Sequence, residues 1–293
     1  MSRTKTIVPW RLKVACKLLL SQLPKSQKLL KKLPIFEFGS MADPEYALNV
    51  FLRHFDRMPQ SIKGKGFVAL ELGPGDSLFS MICARAFGAS KIYLVDVGSY
   101  AEKELLPYRN MISFLNSRGY SVPEIPEGSS FEDVLELFNA EYLTDGIASL
   151  RMIPSNSVDF VWSQAVLEHV IRGEFSELLI ELRRIMYEGG ICSHRVDLKD
   201  HLNKALNNLR FSDQFWERPF IHRSGFYTNR LRMAEICDLS RGAGFNVELA
   251  TIDRWEYLPT RKNLLVEHFQ QFDEDELRVK GFDMVLMPHR PSN

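Results

Sequence analysis

The sequence predicts an α/β fold, a doubly wound and mostly parallel sheet with helices on both faces, and three observations predict it. The run Phe67-Val-Ala-Leu is a buried strand that stops at Glu71 and opens into the turn Gly73-Pro74-Gly75-Asp76. An amphipathic segment follows from Ser77 to Phe87, with Gly88 placed as a helix stop. Strand, glycine turn and helix make the first unit of a nucleotide-binding sheet. The second observation is the strand Lys91-Ile-Tyr-Leu-Val-Asp96, which ends in a carboxylate where such a sheet binds a ribose through both hydroxyls. The third is a later repeat of the same alternation. A strand near Ser157–Ser163 leads to a helix with a one-sided stripe at Phe175, Leu178, Leu179, Leu182, Ile185 and Met186. Glu188-Gly189-Gly190 stops that helix and opens a strand from Ile191 to Asp197.

The turn discriminates between ligands. A dinucleotide site needs a third glycine three residues after Gly75, and Leu78 stands there. Glu71 precedes the turn and Asp76 lies inside it, and two carboxylates repel a pyrophosphate but suit a ligand with an amino group and a sulfonium. Together with Asp96, the set resembles the class I methyltransferases that use S-adenosylmethionine. In Ser163-Gln-Ala-Val-Leu-Glu168-His169-Val170 and the strand that follows, the wording is similar to the type 11 group of that family. The resemblance covers residues 66 to 197 well and 226 to 290 loosely.

That resemblance implies a Rossmann-like, seven-stranded sheet with an antiparallel edge strand, residues 281–288 being the reversed one. It implies S-adenosylmethionine as cofactor, held by Glu71, Gly73, Pro74, Gly75, Asp76, Asp96 and Val97. Asp145, Ile147 and Ala148 would meet the adenine, an Asp-Gly surface turn being the alternative for Asp145. Ser163 and Gln164 would pass beneath the methionine part, chiefly through their backbone groups.

The remaining elements follow in order. Residues 1 to 36 carry nine lysines and arginines and no acid, although the whole chain balances at 37 against 37. We expect a basic helical extension over residues 1–60, packed on the acidic body of residues 61–293; a weak peripheral contact with an anionic membrane surface is the alternative. Lys13 and Lys17 interrupt any apolar run there, so no membrane span is expected. A helix is predicted from Pro44 to Asp56, and Ser99 with Glu102 reads as a capping box. Residues 198–226 read as a lid rich in aromatics and arginines. Its aromatics could close over a sugar or form the small core of a helical cap. Thr228–Arg241 reads as a helix and Phe245–Ile252 as a strand.

Function classes narrow accordingly. The neutral balance argues against a nucleic-acid partner, and four scattered cysteines fit a reducing cytoplasm better than a disulfide framework or zinc site. Of the chain's seven histidines, His169, His194 and His201 fall on or just beyond the fourth and fifth strands, where this fold holds acceptors. We expect His194 as general base with Asp197 orienting it, and His169 as a loop support. No metal is expected, because the Glu-x-x-Glu-His motif of metal-using relatives would need its first Glu at Ala165. The expected activity is O-methylation of a sugar, glycan or lipid-linked acceptor. Alternatives are a quinone or carboxylate acceptor, a nicotinamide-dependent oxidoreductase on the same topology, and a non-catalytic binding scaffold.

Overall fold

Six of the seven strands form where the sequence places them, and a further one, β3, stands where it placed none: β1 Val68–Leu72, β2 Lys91–Val95, β3 Ala140–Leu143, β4 Val158–Gln164, β5 Met186–Asp197, β6 Phe245–Arg254 and β7 Val279–Pro288. This computed structural model describes residues 41–64 and 66–289, so the expectations for residues 1–36 lie outside the described residues. The strands make one sheet in the order β3-β2-β1-β4-β5-β7-β6. β1 to β5 pair in parallel, whereas β7 runs antiparallel to both β5 and β6. The reversed strand thus lies one place in from one edge, and β6 and β3 are the two edge strands.

Alternation along the strands sends two sets of side chains into two layers. On one face Ala69, Ile92, Leu94, Phe160 and Trp162 pack with the helices α1 Pro44–Phe55, α2 Phe79–Ala86, α3 Leu105–Ser117 and α4 Phe131–Leu137. On the other, Leu70, Val161, Cys192 and Met284 pack with α5 Ile147–Met152, α6 Phe175–Ile185 and α7 Met233–Gly242. The predicted stripe of α6 is realised at five of its six positions, Phe175, Leu178, Leu179, Leu182 and Ile185 all being buried in the helix. Each such side chain contributes about 1.5–3 kcal/mol by leaving water. Met186 departs from the reading: the chain passes from α6 directly into β5, so Glu188-Gly189-Gly190 lies within the strand.

α1 begins where Asp43 accepts the Tyr46 N–H at 2.8 Å. It packs Phe51 edge-on against Trp162, ring centroids 5.6 Å apart. The described part of the N-terminal extension therefore shares the core of the sheet.

Two helix starts differ from the sequence reading. α3 begins at Leu105 with no side-chain cap, not at a Ser99–Glu102 box. Glu102 is held instead by its N–H to the Asp76 carbonyl (2.9 Å) and its carbonyl to the Tyr108 hydroxyl (2.7 Å). Residues 228–232 are not helical. Asn229 donates its N–H to the Glu168 carbonyl at 2.8 Å and Arg230 takes a left-handed φ of 62°, so α7 starts only at Met233. In the insert, the aromatics pack mainly on each other: Phe211, Phe215 and Phe220 lie against buried Trp216, Phe226 and Tyr227. They form the small core of a cap, not an open stacking surface.

Candidate functional site

Parallel register brings the strand ends together. Leu72 pairs with Val95 of β2 and with Ser163 of β4, and Val95 pairs with Leu143 of β3. The residues that follow these four strands therefore meet along one edge, where an open α/β sheet binds ligands. Asp96 links two of them. One carboxylate oxygen accepts the Gly75 N–H at 3.0 Å and the other accepts the Val97 N–H at 2.7 Å. Burial raises its pKa, and those two N–H groups oppose the rise. The carboxylate is thereby fixed in orientation, with its remaining lone pairs available to two hydroxyls.

The glycines fit a ligand cradle. Gly73 sits at φ 65°, and a Cβ there would come within 2.6 Å of the Val166 side chain, so the turn and the loop after β4 touch. Gly75, at φ 70°, meets nothing within 4 Å and leaves its backbone open to an approaching molecule. Pro74 is buried and Asp76 half-buried in the same turn. Gly73→Ala is expected to destabilise the protein by roughly 2 kcal/mol or more, from a left-handed backbone and a collision together. Thermal unfolding checks this, and an unchanged midpoint would contradict the packing of Gly73 on Val166.

On the far side of Asp96, Gly146 donates its N–H to the Asp96 carbonyl at 2.8 Å and lies against Val97. Val97, Asp145 and Ala148 are exposed and Ile147 is half-buried, so all four stand at this edge. The Asp145 N–H donates to the Ser149 hydroxyl at 2.9 Å. That leaves its carboxylate outside the turn's own hydrogen bonding.

Other predicted residues turn elsewhere. Glu71 lies beneath the turn, 2 % exposed, taking the Ser80 hydroxyl on one oxygen and the Trp162 indole N–H at 3.2 Å on the other. Burial pushes its pKa up to about 7. It braces the turn from below, which corrects the expectation that it faces the ligand. Ser163 is wholly buried and its hydroxyl meets His194 Nδ1 at 2.8 Å. Gln164 reaches His54 of α1, Oε1 to Nε2, at 3.1 Å. The Ser163 side chain and the Gln164 amide oxygen are thus committed inside the protein.

His194 is corrected most sharply. It lies in the middle of the β4–β5–β7 ladder, paired with Ser163 and Met284, and is completely buried. Burial, with a smaller contribution from nearby His54, lowers its pKa to about 3. A side chain sealed in the layer beneath α6 and α7 cannot reach an acceptor. Asp197 cannot orient it either, because three residues along a strand puts the two on opposite faces. The Asp197 carboxylate instead takes the Lys199 N–H at 2.9 Å and its ammonium at 3.0 Å.

His169 is the better-placed histidine. It follows β4 at the same edge, with an exposed side and its ring 4.9 Å from that of His201. Nδ1 lies 2.9 Å from the Tyr227 carbonyl, so Nδ1 carries the proton and Nε2 keeps a lone pair. Protein packed around the rest of the ring lowers its pKa below the ordinary imidazole value, against the pull of the Tyr227 carbonyl and Asp197.

Next to it, Glu168 is buried, one oxygen accepting the Asp197 N–H at 3.3 Å and the other without a partner. Burial pushes its pKa up to about 8. A raised folded-state pKa gives stability that is present below the unfolded carboxyl range and lost as pH rises through 8. Relative to Glu168→Gln, the wild type is expected to lose on the order of 2–4 kcal/mol between pH 5 and pH 9. Chemical denaturation across that range measures it, and parallel curves would show that Glu168 is ionised when folded.

Glu168 shares a cleft with Asp197, Asn208, Asn229, Arg230 and Arg232. The sequence reading passed over the last three because it placed Thr228–Arg241 in a helix. A usable signal was present: Asn229, Arg230 and Arg232 give the predicted helix a polar start where a packed face would be apolar. Among the described residues no three His, Cys, Asp or Glu side chains are grouped as a metal centre requires.

Residues 70–193 match the family described as "Methyltransferase domain". No curated protein matches the chain. Among solved structures, the chain is similar to one from the complex of the Haloferax volcanii Trm112 methyltransferase activator, at 16% identity over 87% of this chain and 93% of that one, with a TM-score of 0.47. A phosphoethanolamine N-methyltransferase 2 of Haemonchus contortus follows at 15% identity and a TM-score of 0.45, over 83% of this chain and 53% of that one, so the chain spans about half its length. A SAM-dependent methyltransferase from Archaeoglobus fulgidus matches at 12% identity, over 83% and 94%, with a TM-score of 0.44. These likenesses are distant, and nothing about chemistry follows from them.

Proposed function

We propose, from the match of residues 70–193 to the methyltransferase-domain family, that the chain transfers a methyl group from S-adenosylmethionine to a hydroxyl of a sugar, glycan or lipid-linked acceptor. One observation carries the cofactor assignment: Asp96, at the end of β2, receives the Gly75 N–H of the turn after β1 and stands beside the loop after β4. A ribose on Asp96 then lies beside a glycine turn with no third glycine and no anion site, which favours S-adenosylmethionine over a dinucleotide.

S-adenosylmethionine, when bound, supplies an electrophilic methyl group on a sulfonium, and S-adenosylhomocysteine leaves as product. The chain's own residues do the rest. Asp96 holds the ribose, the Gly73–Gly75 turn passes under the methionine part, and Val97 with Ile147 offers the adenine an apolar bed. The loop after β4 brings the acceptor in line and excludes water. His169 Nε2 takes the proton of the acceptor hydroxyl as the new oxygen–carbon bond forms.

The sugar reading rests on the polar cleft beside His169 and on the arginines of the insert. A carboxylate acceptor is the competing reading, because Arg230 and Arg232 line the same cleft. Incubation with methyl-labelled S-adenosylmethionine and a glycan or glycolipid fraction separates them. Label stable to mild alkali is expected, as an ether; label released as methanol would mean an ester and a carboxylate acceptor. Among the described residues no helix is long and apolar enough to cross a membrane. Any contact with a lipid-linked acceptor is therefore proposed as peripheral, through the basic residues 1–36.

A further inference from the structure

Gln164 closes β4 beside the glycine turn. Ser163 pairs with Leu72, so the next residues of the two strands, Gln164 and Gly73, are neighbours. The Gln164 side chain turns to the face covered by α1, the face of Trp162 two residues before it. There it joins a relay of polar groups. Arg57 donates to the Ser193 hydroxyl at 3.1 Å, Ser193 Oγ lies 2.8 Å from His54 Nδ1, and His54 Nε2 lies 3.1 Å from Gln164 Oε1. His54 and Ser193 are wholly buried. Asp283 anchors the far end, taking Arg57 at 2.8 Å and the Thr251 hydroxyl at 2.6 Å.

Chemistry gives the relay a direction. A guanidinium only donates, so Ser193 Oγ accepts from Arg57. The Ser193 proton then has His54 Nδ1 as its acceptor, and Nδ1 carries no proton of its own. Burial lowers the His54 pKa to about 4, so the ring is neutral and its single proton sits on Nε2. Nε2 donates, and the Gln164 group that faces it is the carbonyl oxygen. The amide NH2 therefore points the other way. Among the described residues that nitrogen has no hydrogen-bond partner, and it is not one of the orphaned atoms sealed from solvent. Gln164 itself is only half-buried.

An NH2 group needs an acceptor. The methionine end of S-adenosylmethionine, over the neighbouring Gly73–Gly75 turn, carries an ammonium that only donates and a carboxylate that only accepts. We infer that the Gln164 NH2 binds that carboxylate, and that His54 is the positioning residue which turns it there. α1 lies outside the matched segment 70–193, yet through His54 it takes part in holding the cofactor. This rests on the reading of the edge around Asp96 as an S-adenosylmethionine site.

Calorimetry with two probes tests it: S-adenosylhomocysteine, which has the carboxylate, and methylthioadenosine, which keeps the adenosine but lacks the amino-acid end. Gln164→Glu sets a carboxylate where the NH2 stood. S-adenosylhomocysteine should weaken about tenfold or more, while methylthioadenosine keeps its wild-type affinity. His54→Phe frees the amide to turn and should weaken S-adenosylhomocysteine about threefold to fivefold, again sparing methylthioadenosine. Parallel loss of both ligands would show a disturbed turn, and unchanged S-adenosylhomocysteine would show that the amide does not reach it; either overturns the inference. Imidazole nitrogen NMR of the wild type checks the relay by itself. His54 should carry its proton on Nε2, and the opposite tautomer would turn the Gln164 oxygen outward and overturn the assignment. A wild type that binds neither probe strikes the cofactor reading, whereas a Gln164→Glu variant that binds S-adenosylhomocysteine normally strikes this inference alone.

Discussion

Replacing His169 by alanine is expected to lower methyl transfer about a hundredfold or more while leaving S-adenosylmethionine affinity nearly unchanged. General-base catalysis contributes at least that factor, and Nε2 is the ring nitrogen of the exposed His169 that keeps a lone pair once Nδ1 faces the Tyr227 carbonyl. The pH profile separates this role from mere support of the loop. A base must be neutral, so kcat/KM falls as pH drops through its pKa. Desolvation lowers that pKa, which places the acidic limb below the ordinary imidazole range. In His169→Ala the limb should vanish along with the rate. His194→Ala is the contrast: sealed beneath α6 and α7, it should lower thermal stability and leave the profile in place. A His169 variant with wild-type turnover would remove the proposed base.

Asp96→Ala is expected to weaken both S-adenosylmethionine and S-adenosylhomocysteine by about 1.5–3 kcal/mol, the scale of a charge-assisted hydrogen-bond pair. In affinity that is roughly tenfold to more than a hundredfold. Both ligands should suffer alike, because they share the ribose. The variant also leaves the Gly75 and Val97 N–H groups without their acceptor, so part of the loss comes from a loosened turn. Asp96→Asn keeps one acceptor oxygen and should fall between. Calorimetry on the three proteins gives the order, and equal affinity in all of them would contradict the ribose assignment.

What the sequence disclosed was governed by period and spacing. The stripe of α6 and the strand leading to Asp96 depend on local pattern, and both formed, the helix stopping short of Met186 and the strand at Val95. The glycine turn was legible because Gly73 and Gly75 need backbone angles that few other residues adopt. Side-chain facing was harder. His194 and Glu71 sit at suggestive positions, but their fate depends on which face of the strand they occupy and what covers it. Trp162 and Ser80 claim Glu71, and Ser163 with the layer of α6 and α7 claims His194. The cleft of Asn208, Arg230 and Arg232 was missed for another reason: beyond the polar start of residues 229–232, it joins segments brought together by tertiary contact, through the Asn229 N–H to the Glu168 carbonyl. A helical reading of residues 228–241 ignored that competing bond.

The central claim is that the edge built around Asp96 receives S-adenosylmethionine, and calorimetry of the wild-type protein with S-adenosylmethionine and with NAD tests it most directly. One equivalent of S-adenosylmethionine should bind, with no heat from NAD, since Leu78 fills the place of the pyrophosphate glycine and is wholly buried. Binding of NAD with silence from S-adenosylmethionine would contradict the account.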